Sequence, residues 1–202
     1  MKKKYGRRNF INTAIAGGIG LGLSNSFSAL YAQSGASQKR IGIIGLDTSH
    51  SIAFTKALNA AGASADFKGY KVVAAYPKGS NDIISSAERI PGYTEEVKKL
   101  GVEIVSSIKE LLKKTDYILL ETNDGRLHLQ QALEVIKAGK PMFIDKPIAA
   151  SLKDAVAIFK AAEQNNVPVF SSSSLRFMTS AQEVAKGKVG KVLGADCYSP
   201  AH

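Results

Sequence analysis

The sequence predicts an α/β protein with a doubly wound parallel sheet, followed by the first elements of a second, α+β domain. Three observations carry this. Short apolar runs without polar alternation recur from residue 40 to residue 170, as in Tyr117-Ile-Leu-Leu120 and Met142-Phe-Ile144. They are too short for helices and suit strands buried on both faces. Between them lie amphipathic segments of helical period. Glycine or proline closes most segments, among them Gly62, Gly101, Gly139 and Pro147, so the connections are short. Strands that alternate with helices over this length build a parallel sheet, because every parallel return needs a crossover.

The elements follow in order. Arg40 to Gly45 reads as the first strand and Ser51 to Ala61 as a helix ended by Gly62. Tyr70 to Tyr76 is a second strand, closed by Pro77-Lys-Gly79. Two short helices are expected next, Asp82 to Arg89 and Thr94 to Leu100, separated by Pro91-Gly92, since an interior proline breaks a helix. Val102 to Val105 is the third strand, Ser107 to Lys113 a helix, Tyr117 to Leu120 the fourth strand, and Leu127 to Ala138 a helix. Met142 to Ile144 is the fifth strand, stopped by Pro147. Ser151 to Gln164 is a helix opened by a capping-box-like Ser151-Leu-Lys-Asp154, and Val167 to Phe170 is the sixth strand. After Ser174 the pattern changes. Leu175 to Lys186 is expected as a helix and Lys191 to Tyr198 as a strand that opens a second domain, so the chain reads as a fragment of a longer protein.

The first residues read as an address. Lys2, Lys3, Lys4, Arg7 and Arg8 supply five of the ten formal net positive charges. Ile11 to Leu23 is weakly apolar and glycine-rich, and Ser24 to Ala36 is rich in small residues. The apolar part is too short to span a membrane. The arginine pair in Gly6-Arg-Arg-Asn-Phe-Ile11 resembles a Tat signal; an ordinary secretion signal with a chance pair is the alternative. The expected organisation is a signal peptide at 1–36, a sheet domain at 37–174 and the start of a substrate domain at 175–202. The mature protein is expected in the periplasm or cell envelope, with no membrane association once the signal is removed. The remaining basic residues are scattered over helix faces without a basic, aromatic stripe, so nucleic acid is not an expected partner. Cys197 is the only cysteine, which excludes an internal disulfide or a cysteine-based zinc site.

Candidate chemistry collects where the strands end, since ligands of open parallel sheets bind at the carboxyl edge. After the first strand, Gly45-Leu-Asp47-Thr48-Ser49-His50 occupies the register of a Gly-x-Gly-x-x-Gly dinucleotide loop. Only Gly45 is kept. Asp47 stands where backbone meets pyrophosphate and His50 where helix and strand pack closely. A carboxylate about 4 Å from a phosphate is repelled by about 4 kcal/mol at an effective dielectric of ~20. Asp47 is therefore expected to act as an N-cap, accepting from Ser49 or His50. The second strand ends Ala75-Tyr-Pro77 without the usual ribose-binding acid. Lys78 and Ser80 are either contacts to a 2′-phosphate or ordinary turn residues. After the fourth strand, Thr122 and Asn123 are candidates to bond a sugar or nicotinamide, and His128 opens a helix. Glu121, Asp124, His128 and His50 are chemically able to hold a metal, but no spacing demands it and none is assigned. After the fifth strand, Asp145 and Lys146 reach the same edge. The lysine is either an anchor and proton-handling group or a solvated loop residue.

Taken together, the arginine pair, the Thr122-Asn123 to His128 loop and Asp145-Lys146-Pro147 resemble the Gfo/Idh/MocA oxidoreductases, over roughly Arg40 to Tyr198. Asp145-Lys146-Pro147 matches the family's Glu-Lys-Pro with a shorter acid, and Arg176 its Arg-Phe position. The resemblance implies a Rossmann-like fold and NAD or NADP bound by Gly45, Asp47, Thr48, Ser49, His50, Thr122, Asn123, Asp145 and Lys146. It further implies Lys146 and His128 as catalytic residues, a carbohydrate or polyol substrate and a homo-oligomeric full-length protein. A non-redox carbohydrate-active or carbohydrate-binding protein on the same scaffold is the alternative.

The arginine pair makes a direct prediction. Replacing Arg7 and Arg8 together by lysine should strand the full-length protein in the cytoplasm, because the twin guanidinium pair is what the receptor reads. Fractionation and immunoblotting would show this; undiminished export would assign the signal to the general secretory route.

Overall fold

The computed structural model describes residues 39–196. The signal peptide expected at 1–36 and the last residues of the strand expected at Lys191–Tyr198 lie outside them. Six strands form one sheet: β1 (Lys39–Ile44), β2 (Tyr70–Tyr76), β3 (Glu103–Ile104), β4 (Tyr117–Leu120), β5 (Met142–Ile144) and β6 (Val169–Ser171). All pairings are parallel and the spatial order is β3-β2-β1-β4-β5-β6. The chain winds outward from β1 in one direction and then from β4 in the other. This places the topological switch point, where open α/β sheets bind ligands, between the carboxyl ends of β1 and β4.

The crossovers are α1 (Ser49–Asn59), α2 (Ile84–Lys99), α3 (Ile108–Lys114), α4 (Gly125–Lys137) and α5 (Leu152–Gln164). Successive strand residues point to opposite faces, and β1, β2 and β4 feed two cores. Ile44, Ile118, Leu120, Met142 and Ile144 face α3, α4 and α5, where they meet Leu111, Val135 and Ile158. Ile41, Ile43, Val72 and Ala75 face α1 and α2, where they meet Ile52 and Val97. Hydroxyls cap the helices as their sequences suggest. Ser107 accepts from the Glu110 amide and Ser151 from the Asp154 amide.

Several elements depart from the sequence expectation. The two helices expected at Asp82–Arg89 and Thr94–Leu100 are one, α2, with Pro91 inside it. An interior proline costs roughly 3 kcal/mol in an isolated helix. Here the second half is held by tertiary packing. Val97 is fully buried, Glu96 pairs with Lys56 of α1, and the Thr94 hydroxyl donates to the Ile90 carbonyl at 2.6 Å. The helix expected at Leu175–Lys186 is a 3-10 turn, Ser174–Phe177, followed by the short α6 (Thr179–Ala185). Met178 between them is extended, and Leu175, Phe177, Met178 and Val184 are all exposed. Without a surface to cover an apolar face, a longer helix has little to stabilise it. Residues 191–196 form no strand, as no neighbouring strand among the described residues completes a ladder for them.

Asn59 ties the end of α1 to the sheet and to the end of α2. Its Nδ2 donates to the carbonyls of Val72 at 2.8 Å and Leu100 at 3.2 Å, and its Oδ1 accepts from the Val72 amide at 2.9 Å. Asn59→Ala should therefore lower unfolding free energy by roughly 2–3 kcal/mol, the cost of stranding half-buried backbone groups. Denaturant titration would check this; a loss under 0.5 kcal/mol, on the order of a neutral surface change, would show that water replaces the amide.

Candidate functional site

Three loops meet at the switch point. Gly45 makes the turn after β1 with φ +91, and a Cβ there would lie 2.5 Å from the Thr122 amide nitrogen. Only glycine allows the β1 and β4 loops to approach this closely. Asp47 then turns inward rather than toward its helix. It is fully buried, Oδ1 accepting from the Asn123 amide at 3.0 Å and Oδ2 from the Ser80 amide at 3.4 Å. The expected N-cap role falls instead to Thr48, whose Oγ1 accepts from the His50 amide at 3.4 Å. A carboxylate that two neighbouring loops can satisfy gains more there than at a half-exposed helix end.

The loop after β4 is braced by groups that looked chemical in the sequence. His128 on α4 is fully buried, Nε2 lying 2.6 Å from the Thr122 carbonyl and Nδ1 3.0 Å from the Ile148 carbonyl. Both contacts are to acceptors, so a neutral ring donates to one and only a doubly protonated ring to both. Neither nitrogen is free for a substrate. The expected catalytic role gives way to a positioning one, clamping the β4 and β5 loops together. Asp124 caps α4 through the Arg126 amide and grips the Arg126 guanidinium, which also reaches Asp82. That guanidinium, beside it, holds the Asp124 carboxyl at about 2. The Ser80 hydroxyl is spent on Asp82 at 2.7 Å, so Ser80 is a turn residue and not a phosphate contact.

A different set assembles at the edge. Leu120 and Ile144 point into the α3–α5 core, so Glu121 and Asp145, one residue on, point to the α1 face, where His50 stands in the first turn of α1. The His50 Nδ1 donates to Asp145 Oδ2 at 2.7 Å, and Lys146 Nζ lies 3.6 Å from the same oxygen. The Lys146 side chain is 53% exposed. Glu121 is fully buried, and neither of its carboxyl oxygens has a hydrogen-bond partner; the buried Thr122 Oγ1 is likewise unpaired. Burial pushes the Glu121 carboxyl up to about 8, Asp145 adding to the shift and Lys146 opposing it. A groove of about 560 Å³ opens beside this cluster, walled by Phe54, Phe143, Phe170 and Phe177 and rimmed by His50 and Asp145.

Of the residues singled out in the sequence, the structure brings Gly45, Asp47, Thr122 and Asn123 together at the switch point, with His50, Asp145 and Lys146 joined to one another at the same sheet edge. Ser49 is exposed at the start of α1, and Arg176 is exposed on the turn after β6. The four-residue metal set is not assembled, because Asp124 and His128 are engaged elsewhere. Glu121, offered by the sequence only as a member of that metal set, joins the His50–Asp145 edge. Its signal was an acid placed directly after the apolar run Tyr117–Leu120, which strand alternation turns away from the larger core.

Residues 39–173 match the sequence model of GFO_IDH_MocA, an oxidoreductase family with an NAD-binding Rossmann fold. The chain is 29% identical over 119 residues to a 1,5-anhydro-D-fructose reductase of Ensifer adhaerens, covering 56% of this chain and 35% of the reductase. It is 28% identical over 102 residues to an uncharacterized oxidoreductase of Streptococcus pneumoniae, covering 48% of this chain and 28% of that protein. It thus spans about a third of the length of the curated relatives it matches. Among solved structures, the WlbA dehydrogenase from Bordetella pertussis in complex with NADH and UDP-GlcNAcA aligns with a TM-score of 0.58 at 21% identity, over 75% of this chain and 42% of that one. An oxidoreductase from Agrobacterium radiobacter in complex with NAD+, L-tartaric acid and magnesium aligns at 0.59 and 18% identity, over 77% and 42%. At these identities the structural likeness is one of fold.

The unpaired Glu121 makes stability depend on pH. Folded, it keeps its proton up to about pH 8, whereas unfolded it loses it near pH 4.3. Its contribution is therefore complete below the unfolded value and is lost as pH rises toward 8, on the order of 3 kcal/mol by pH 7. In metal-free buffer, Glu121→Gln should be more stable than wild type at pH 7 and close to it at pH 4.5. Parallel stability profiles for the two proteins would mean that the carboxyl is not desolvated.

Proposed function

The chain belongs to the GFO_IDH_MocA oxidoreductase family, and from that membership together with the arginine pair at Arg7 and Arg8 we propose that its full-length protein is an exported enzyme acting on a carbohydrate or polyol. Bound NAD or NADP would supply the hydride acceptor or donor. The observation that carries the reading is Lys146, delivered by β5 to the carboxyl edge with its ammonium 3.6 Å from Asp145 and its side chain half exposed. From there Nζ reaches a substrate hydroxyl, orients it and steadies its oxygen as the proton leaves. Asp145 holds the lysine in place, and His50 holds Asp145.

The crevice fits a nucleotide in part. The tight turn at Gly45 is present, and the buried Thr122 Oγ1 lacks a partner that a ligand would provide. Asp47 does not project into the phosphate path, since two loop amides hold it inside. Lys78, in the loop after β2, is the cation available to a 2′-phosphate. The aromatic walls of the groove beside Asp145 offer flat apolar faces to a nicotinamide or sugar ring. The twin arginines support export, and export of a folded protein suits a cofactor loaded before crossing. One observation favours the non-redox reading instead. Asp47 replaces, in sequence, the glycine that lets the backbone meet a pyrophosphate, and its inward-turned carboxyl still puts an acid beside that turn.

Two measurements separate the readings. Denatured supernatant of the full-length protein should release NAD or NADP, seen by absorbance and mass spectrometry; no release together with no binding on titration would favour the non-redox protein. With a substrate in hand, Lys146→Ala should lower kcat roughly a hundredfold or more with little change in stability. Lys146→Arg should also fail, because the guanidinium is broader and does not give up its proton. Turnover near wild type in Lys146→Ala would remove the lysine from the chemistry.

A further inference from the structure

We propose that His50, Glu121 and Asp145 form a binding site for one divalent transition-metal cation, of the zinc or manganese class. The site shares His50 and Asp145 with the edge that positions Lys146, but it does not rest on nucleotide binding. The three residues come from three elements, the first turn of α1 and the ends of β4 and β5, so sequence proximity does not explain their meeting. One ligand-type atom from each lies within 4.8 Å of the other two. Metal–ligand bonds of about 2.0–2.2 Å hold neighbouring donors roughly 3–4 Å apart, so side-chain torsions alone bring the set to binding distance.

The second observation is the state of Glu121. A carboxyl that is fully buried with both oxygens unpartnered is costly, because it has given up water and received no donor in return. Helix caps, turns and ion pairs account for the other acids nearby: Asp47 with two amides, Asp124 with Arg126, Asp82 with Arg126 and Ser80. Glu121 alone has no such explanation, and its oxygens belong to the trio. The charge sum agrees. With the Glu121 proton displaced on binding, two carboxylates and a neutral imidazole would carry two negative charges, which one dication neutralises. Lys146 is the competing counter-charge, but it lies on the Asp145 side, half exposed, and makes no bond to Glu121.

The donor chemistry narrows the ion. One imidazole with two carboxylates suits zinc, manganese or iron(II) better than calcium or magnesium, which prefer all-oxygen shells. Three protein donors also leave coordination positions open, the arrangement of sites that take a further ligand rather than purely structural ones. The half-exposed edge of His50 and the groove beside it are where such a ligand would enter.

The test is direct metal binding by the tag-free full chain, stripped with a chelator, dialysed and titrated calorimetrically with Zn2+ and with Mn2+. Metal content would be counted by mass spectrometry. One cation per chain is expected for at least one metal. Glu121→Gln, Asp145→Asn and His50→Ala should each weaken it at least tenfold, whereas Lys146→Ala should leave it equal or tighter. His50 is half exposed, so its alanine variant keeps the test usable if a buried substitution fails to fold. Absence of saturable binding to wild type, or binding of unchanged affinity in either Glu121→Gln or His50→Ala, would overturn the site. NAD titration of the same variants is read separately, so loss of the metal and loss of the nucleotide are distinguishable.

Discussion

The crevice depends on one buried carboxylate. Asp47 accepts from an amide of the β2 loop and an amide of the β4 loop while its own backbone continues β1. Three strand ends are thereby held at a fixed spacing by a group that cannot be exchanged for an apolar one without stranding two donors. The requirement reaches a second residue. A Cβ on Gly79 would sit 2.1 Å from Asp47 Oδ2, so the carboxylate and the glycine above it are needed together. The carboxylate thereby stands in the sequence position of a dinucleotide loop's second glycine, but it is turned inward between the loops.

Strand alternation sorts the rest of the edge. Residues that follow a core-facing strand end turn to the opposite face. Glu121 and Asp145 accordingly leave the larger core and meet His50 on the α1 side. On that face Phe170 of β6 is left exposed. Phe143 packs edge-on against Phe54 and tilted against Phe170, ring centroids 5.9 and 5.2 Å apart. A polar, acid-rich cluster therefore borders an aromatic groove. A ligand entering there meets both a charged end and flat apolar walls.

Residue type alone was a poor guide to role. His128, Ser80 and Asp124 all carry groups used in catalysis, yet each is consumed in holding a loop. The His128 ring joins the carbonyls of Thr122 and Ile148, and Arg126 joins Asp82 to Asp124. These braces tie the loops after β2, β4 and β5 to one another, while Lys146 touches only Asp145 among the nearby acids.

The sequence by itself determined the order of strands and helices in the sheet domain, because buried parallel strands read as short apolar runs and amphipathic helices as a 3.6-residue period, both local signals. It also placed Gly45, Thr122, Asn123, Asp145 and Lys146 at the carboxyl edge, since position after a strand suffices for that. Tertiary structure decided what local signals do not carry. Pro91 stays inside a helix because Val97 and Glu96 anchor the turns beyond it. Asp47 leaves the helix it could cap because loops distant in sequence offer two amides. His50, Glu121 and Asp145 meet because three crossovers start at one edge, and sequence spacing holds no record of which strands lie side by side.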